Sequence, residues 1–383
     1  MMKAWRAETA LLHQPHWPAH GFDAVQPGTF RASTIFFPDT AAWRRRDWSS
    51  REGFIYGTHG TPTTFELEAR IAALEGAAHA LLCPSGLAAI ALVHLALLQP
   101  GDEVLVPVNV YPAHRRLLVE QLGAWGVQPV PYDPMQGDPP LSPRTRLLWL
   151  EAPCSLTFEF PDVRRIAAQA AASSVRTVLD NTWGAGIAFR PFDLGVDLSV
   201  QSLAKVAAGS GDVVMGSICT HARSDFDALQ ACAMRLGQHV SAADAADVLR
   251  GLATLPLRYA AQDGRARQLA TWLQEQPAVA QVLHPALPEC AGHGTWQKEC
   301  SAAAGVFSVV FRGEHTQQAV DRFVDALRLF RIGFGWGAPV SIVLPCGADL
   351  ACPTEGELVR FSIGLEAAED LQEDLAQALR LLQ

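Results

Sequence analysis

Short apolar runs alternate with stretches of helical period through the first half of the chain. Residues 77–83 predict a buried strand that breaks at Pro84-Ser85-Gly86 and leads into a helix over 87–98, stopped by Pro100-Gly101. Strands follow at 103–108, 127–132, 145–151 and 175–180, with helices at 113–122 and 163–172 between them. Just upstream, Thr63 with Glu66 fits a capping box, and Leu67, Ile71 and Leu74 share one face until Gly76. Strands alternating with helices imply a parallel, doubly wound sheet.

After residue 245 the pattern changes. A helical period over 242–275, kinked or broken at Pro256, leads to a strand at 279–283. Residues 305–311 alternate like a half-exposed strand, 316–327 are helical, 359–363 form a further strand, and 366–382 an amphipathic helix. This predicts a smaller α+β domain with an antiparallel sheet. The first sixty residues lack periodicity and are dense in Pro, His, Trp and Gly. They read as an arm that must lie on another domain or subunit. The expected division is an arm at 1–60, a main domain at 61–245 and a C-terminal domain at 246–383.

Composition narrows the function classes. The chain has 383 residues, 18% charged, and a net charge of −9 with no Lys/Arg block, which argues against nucleic acid as a partner. Its 8 cysteines form no C-x-x-C pair, a pattern suited to reduced thiols. The N-terminus carries no apolar signal region, and the longest apolar stretch, 86–98, is too short for a bilayer and holds His94. A soluble cytoplasmic protein is expected. No metal is expected: His13, His16 and His20 cluster, but Pro15 and Pro18 deny them a common helix face.

Chemistry gathers where strands end. The apolar run 196–200 is followed by Gln201-Ser202-Leu203-Ala204-Lys205, and a lysine there is desolvated, which favours the neutral nucleophilic amine. Standing alone, Lys205 reads better as an edge residue with its head in water. Asp180 closes another predicted strand, and Tyr111 follows a third, able to stack on a flat ring. Ser85-Gly86-Leu87 opens a helix, where free backbone N–H groups favour a phosphate. An amine, a carboxylate, an aromatic face and a phosphate cup together fit pyridoxal 5′-phosphate.

In this order the residues resemble the cysteine/methionine-metabolism family of pyridoxal-phosphate enzymes. Matching blocks include Tyr56-Gly57-Thr58-His59-Gly60-Thr61-Pro62-Thr63, Pro84-Ser85-Gly86, Asp180-Asn181-Thr182-Trp183, Ser202 to Lys205, Gly335-Trp336-Gly337 and Leu358 to Glu366. The resemblance implies a fold-type I architecture: a mostly parallel sheet flanked by helices, with a smaller α+β C-terminal domain. It implies Lys205 as the Schiff-base lysine and proton carrier, and Asp180 on the pyridine nitrogen. Tyr111 would stack on the ring, and Gly86, Leu87 and Ser202 would hold the phosphate. Tyr56 would reach a neighbouring subunit's phosphate within a homotetramer, and with Lys205 and Tyr111 would complete the catalytic set. Arg360, with Tyr56 and Trp336 beside it, would hold the substrate. Trp336 matches the β-lyase branch, where γ-acting members carry leucine. The implied activity is carbon–sulfur β-lysis of L-cystathionine or a related cysteine thioether. A γ-eliminating or γ-replacing relative is the alternative, and a cofactor-poor scaffold a further one. The sequence departs from the family pattern at four positions, of which Thr58, Ala204 and Gly335 motivate the scaffold reading. Val206 replaces a tyrosine and Gly335 a serine, while Thr58 replaces a phosphate-binding arginine and Ala204 a phosphate-binding threonine, and those two losses predict weaker cofactor retention. His59 is kept as a candidate replacement contact.

Overall fold

The computed structural model describes residues 6–12, 24–346 and 355–382; the His13, His16 and His20 cluster and Cys352 lie outside them. Seven strands form the larger sheet. These are β1 (His79–Cys83), β2 (Glu103–Pro107), β3 (Gln128–Tyr132), β4 (Thr145–Glu151), β5 (Arg176–Asp180), β6 (Leu198–Ser202) and β7 (Gly216–Thr220). Their spatial order is β1-β7-β6-β5-β4-β2-β3. The run from β3 to β6 is parallel, whereas β7 lies antiparallel to both β6 and β1. The sheet is therefore mostly parallel, with one reversed strand that alternation of apolar runs could not reveal.

Local chemistry sets the helix ends nearest the site. The helix Pro62–Glu75 is capped by Thr61, whose hydroxyl is paired with the backbone of Thr64 while the Thr64 hydroxyl returns to Thr61. The capping box thus sits two residues earlier than Thr63 and Glu66, because Pro62 takes the first helical position. Glu66 instead pairs with Arg70 at 2.7 Å in the buried interior. The helix Gly86–Leu97 is capped by Ser85, whose Oγ accepts the Ala88 N–H at 3.0 Å. The predicted helix at 113–122 holds only over Pro112–Arg116 before widening into a π-turn at Leu117–Leu122.

The smaller sheet contains β8 (Val279–Leu283), β9 (Val306–Phe311), β10 (Arg331–Ile332), β11 (Ile342–Cys346) and β12 (Leu358–Ser362), ordered β10-β11-β12-β9-β8. It is antiparallel except between β10 and β11. Strand β9 is buried along its whole length rather than half-exposed. Its alternate residues serve two cores: Val306 and Val310 join the one shared with the larger sheet, while Phe307, Val309 and Phe311 join that of the smaller sheet. The helix Ala242–Gln274 connects the two halves without a break at Pro256.

A buried histidine pair ties two helices together beneath the first sheet. His94, on Gly86–Leu97, and His114, on Pro112–Arg116, are 1% and 0% exposed, with their Nε2 atoms 2.7 Å apart. Both rings pack on Trp149, at 5.1 and 4.4 Å. Burial pushes His94 from 6.5 down to about 3, and burial with the neighbouring His94 drives His114 well below 6.5. Both folded values lie below the unfolded one. The contribution is therefore fully present above pH 6.5 and is lost as pH falls from 6.5 toward 3. Each ring costs about 1.4 kcal/mol per pH unit in that window. We expect the melting temperature to drop more steeply from pH 6.5 to 5 than in a His94→Leu, His114→Leu variant, whose slope carries only the remaining groups. Equal slopes in calorimetric scans would show that the pair is protonated in the fold.

Candidate active site

A cavity of about 400 Å³ opens where the carboxyl ends of β4, β5 and β6 face the smaller sheet. Gly86, Leu87, Tyr111, Asp180, Ser202, Lys205, Trp336 and Arg360 all line it. The sequence-predicted residues converge, with one exception. Tyr56 is 41% exposed and lies outside the cavity, its backbone bridged to Thr34 and its hydroxyl 3.2 Å from Ser33 Oγ.

Lys205 leaves β6 on a tightly held loop. Its N–H donates to Ser202 O at 3.2 Å, and Gly209 N–H donates to Lys205 O at 3.0 Å. Arg258, from the long helix, donates to Val206 O at 2.8 Å and to Gly251 O at 2.7 Å. Any side chain at Gly209 would collide with that guanidinium. From the other side, Gly337 adopts φ +80°, and a Cβ there would approach Val206 N to 2.7 Å. The Gly335-Trp336-Gly337 segment can lie against the lysine loop only because residue 337 has no side chain. Burial lowers the Lys205 pKa, and the positive charge of Arg360 adds to the effect, against the opposing pull of Asp180. The geometry provides an amine poised to lose its proton.

Asp180 and Glu151 stand side by side, paired in register at the ends of β5 and β4. Asp180 Oδ1 accepts the Thr182 N–H at 3.0 Å, and Thr182 Oγ1 in turn accepts Ser202 N–H at 2.8 Å. Glu151 accepts the N–H of Tyr111 at 2.8 Å and of Ser155 at 3.1 Å. Burial raises both carboxyls, and the Asp180 charge helps push Glu151 to about 8. Each carboxyl makes the other harder to ionise, so the two titrate as a pair rather than independently. Glu151 and Thr182 were not singled out from the sequence. Glu151 closes a predicted strand as Asp180 does, but its hold on the Tyr111 backbone depends on a 40-residue separation in the chain.

These residues fit pyridoxal phosphate. Gly86 and Leu87 present first-turn N–H groups of a helix to the cavity, as an anion requires. A Cβ on Gly86 would come within 2.7 Å of Ser202 Cβ, so the cup closes only with glycine. The half-buried, desolvated Asp180 carboxylate calls for a cationic partner, such as a protonated ring nitrogen. Arg360 is poised at the rim, its Nη2 donating to Phe334 O at 2.7 Å. His59, kept from the sequence as a candidate contact, is 4% exposed and packed edge-on between Trp48 and Phe65. It lines a separate small hollow with Thr58 and Arg51.

Sheet, cleft and lysine loop together define a fold-type I pyridoxal-phosphate enzyme. The family model for Cys/Met metabolism PLP-dependent enzymes matches residues 8–380, and the chain belongs to that family. It is 37% identical to the cystathionine beta-lyase of Bordetella avium, covering 97% of each chain. It is 32% identical to cystathionine beta-lyase MetC of Escherichia coli (strain K12), again over 97% of each. The crystal structure of metB from Corynebacterium glutamicum superposes with a TM-score of 0.91 at 27% identity, covering 99% of both chains.

Proposed function

We propose that this enzyme is a carbon–sulfur β-lyase that cleaves L-cystathionine, or a related cysteine thioether, to a thiol, pyruvate and ammonia. The observation that carries it is the meeting of a lysine of lowered pKa, a half-buried aspartate and an arginine beside Trp336 in one cavity. The cystathionine beta-lyases among its relatives supply the reaction class.

Gly86 and Leu87 N–H groups and the Ser202 hydroxyl would hold the cofactor phosphate, Tyr111 would stack on the ring, and Asp180 would accept from the ring nitrogen. When bound, pyridoxal phosphate supplies the electron sink that acidifies the substrate Cα–H. Arg360 binds the α-carboxylate through its guanidinium fork. Lys205 Nζ takes the Cα proton, a task matched to its lowered pKa. Loss of that proton and departure of the β-sulfur as thiol leave an enamine, which one water converts to pyruvate and ammonia. Glu151 holds Tyr111 in place through the backbone.

Tyr56, lying outside its own cavity, would serve a neighbouring subunit in a homotetramer built from site-sharing dimers. We further infer that residues 1–60 act as the arm, 61–245 as the cofactor domain and 246–383 as the C-terminal domain. A cytoplasmic location agrees with Cys83, Cys154, Cys219, Cys232, Cys290 and Cys300 standing as free thiols, the first three and Cys290 buried. No described helix is long and apolar enough to cross a membrane.

The test is product analysis of cofactor-loaded enzyme with L-cystathionine. Pyruvate is expected. Accumulation of 2-oxobutyrate instead would assign γ-elimination, and failure to retain cofactor would favour the scaffold reading raised by Thr58, Ala204 and Gly335.

A further inference from the structure

Two bulky residues on the cavity wall hold a left-handed backbone. Leu156 has φ +67° and Phe158 φ +59°, and both line the cavity. Such backbone is costly for large side chains and persists only where neighbouring contacts impose it. Here one side chain imposes it. Asn109 Nδ2 donates to Thr157 Oγ1 at 3.1 Å and to Glu159 Oε2 at 2.9 Å, clasping the residues on either side of Phe158. Within the loop, Phe158 N–H donates to Cys154 O at 3.1 Å, and Cys154 N–H to Glu159 O at 2.8 Å.

The other end of the loop is fastened by Glu151, which accepts the N–H groups of both Ser155 and Tyr111. Segment 109–111 and loop 151–159 are thus stapled at two places, by side chains 40 to 50 residues from their partners. The staple fixes the base of Tyr111. That residue is 43% exposed and caps its helix without a side-chain bond, so packing does not set its ring. Its backbone does, at φ −40° and ψ 122° with Pro112 following. Glu151 fixes one N–H, and the second anchor, two residues upstream at Asn109, fixes the direction in which the chain arrives.

We propose that Asn109 is a positioning residue for Tyr111. By clasping Thr157 and Glu159 it makes the strained loop and the Tyr111 segment one rigid wall, so that the tyrosine ring is in place before the cofactor binds. This inference rests on Tyr111 stacking on the cofactor, as in the function proposed above, and not on which thioether is cleaved.

A double-mutant cycle of Asn109→Ala and Tyr111→Ala tests it, read by pyridoxal phosphate affinity and by visible circular dichroism of the loaded protein. Tyr111→Ala should weaken cofactor binding about tenfold, the worth of one good aromatic contact. Asn109→Ala should weaken it about fivefold, with the same loss of cofactor dichroism. In the Tyr111→Ala background, Asn109→Ala should then cost nothing further, because the ring it serves is gone. A role in general loop stability would instead multiply the two losses. If Asn109→Ala does not fold, Thr157→Val keeps the size of that side chain, removes one acceptor and should show the same non-additivity on a smaller scale. Multiplied losses, or affinity and dichroism unchanged in Asn109→Ala, overturn the proposal. An unweakened Tyr111→Ala overturns it together with the stacking role beneath it. A non-additive cycle in a protein that forms no pyruvate from thioethers sustains the proposal, and the β-lyase reading alone then fails.

Discussion

Lys205→Ala is expected to lower thioether cleavage by about 10⁴-fold while leaving the fold intact, because one side chain supplies both the covalent hold and the proton transfer. The backbone of its loop does not depend on the amine. Arg258 secures Val206 O, Gly209 closes on Lys205 O, and Gly337 packs from the opposite side, so truncation at Cβ leaves those contacts in place. Removing a partly desolvated amine also relieves its repulsion with Arg360. Melting temperature should therefore hold or rise slightly. The diagnostic readout is covalent: borohydride should fix cofactor mass onto the wild-type chain and not onto the variant. Lys205→Arg is the companion, since it keeps the charge without a usable nucleophile and should be equally inactive. Residual cleavage above about 1% in either variant, against the 10²–10⁴ expected of a positioned base, would move the proton-transfer role elsewhere.

Some candidate site residues stand out locally in the sequence, whereas details of the architecture depend on packing and pairing across the chain. Lys205, Asp180, Tyr111 and the Gly86 cup are local signals, each a polar or glycine residue at the edge of an apolar run. Arg360 is not, since an arginine within β12 looks like any strand arginine until the partner sheet brings it to the cavity. Pro256 predicts a break, yet the helix Ala242–Gln274 runs through it. Leu249, Leu252, Leu255 and Tyr259 are buried along that face, and Arg258 donates to Gly251 O in the turn before the proline. Tertiary packing outweighs the lost hydrogen bond. In β9 the alternation is real but both faces are covered, so a period of two does not mean a wet side. Glu151 escaped notice because its role depends on register with Asp180, and register is set by pairing across the sheet.

Asp180→Asn separates charge from shape at that same pair. The amide keeps an oxygen that can accept the Thr182 N–H, so the link from β5 through Thr182 to Ser202 survives. It cannot stabilise a positive charge on the ring nitrogen, and the loss of one aimed electrostatic partner in a dry site costs about 10²–10³ in kcat. Stability should move the other way. Asp180 is half-buried, and desolvation raises its pKa, so in the unloaded protein its charge opposes folding at neutral pH. The raised folded value puts that cost above the unfolded value of 3.8, and it is removed as pH falls. A neutral amide removes it at every pH and also takes away the negative charge that helps push Glu151 to about 8. The variant should thus melt at least as high as wild type without cofactor while losing most of its activity with it. Its bound cofactor should absorb at a shifted wavelength, since the ring nitrogen would no longer be held protonated. A variant that melts lower and keeps its kcat would instead make Asp180 a structural carboxylate serving Thr182, and would leave the ring nitrogen to another partner in the cleft.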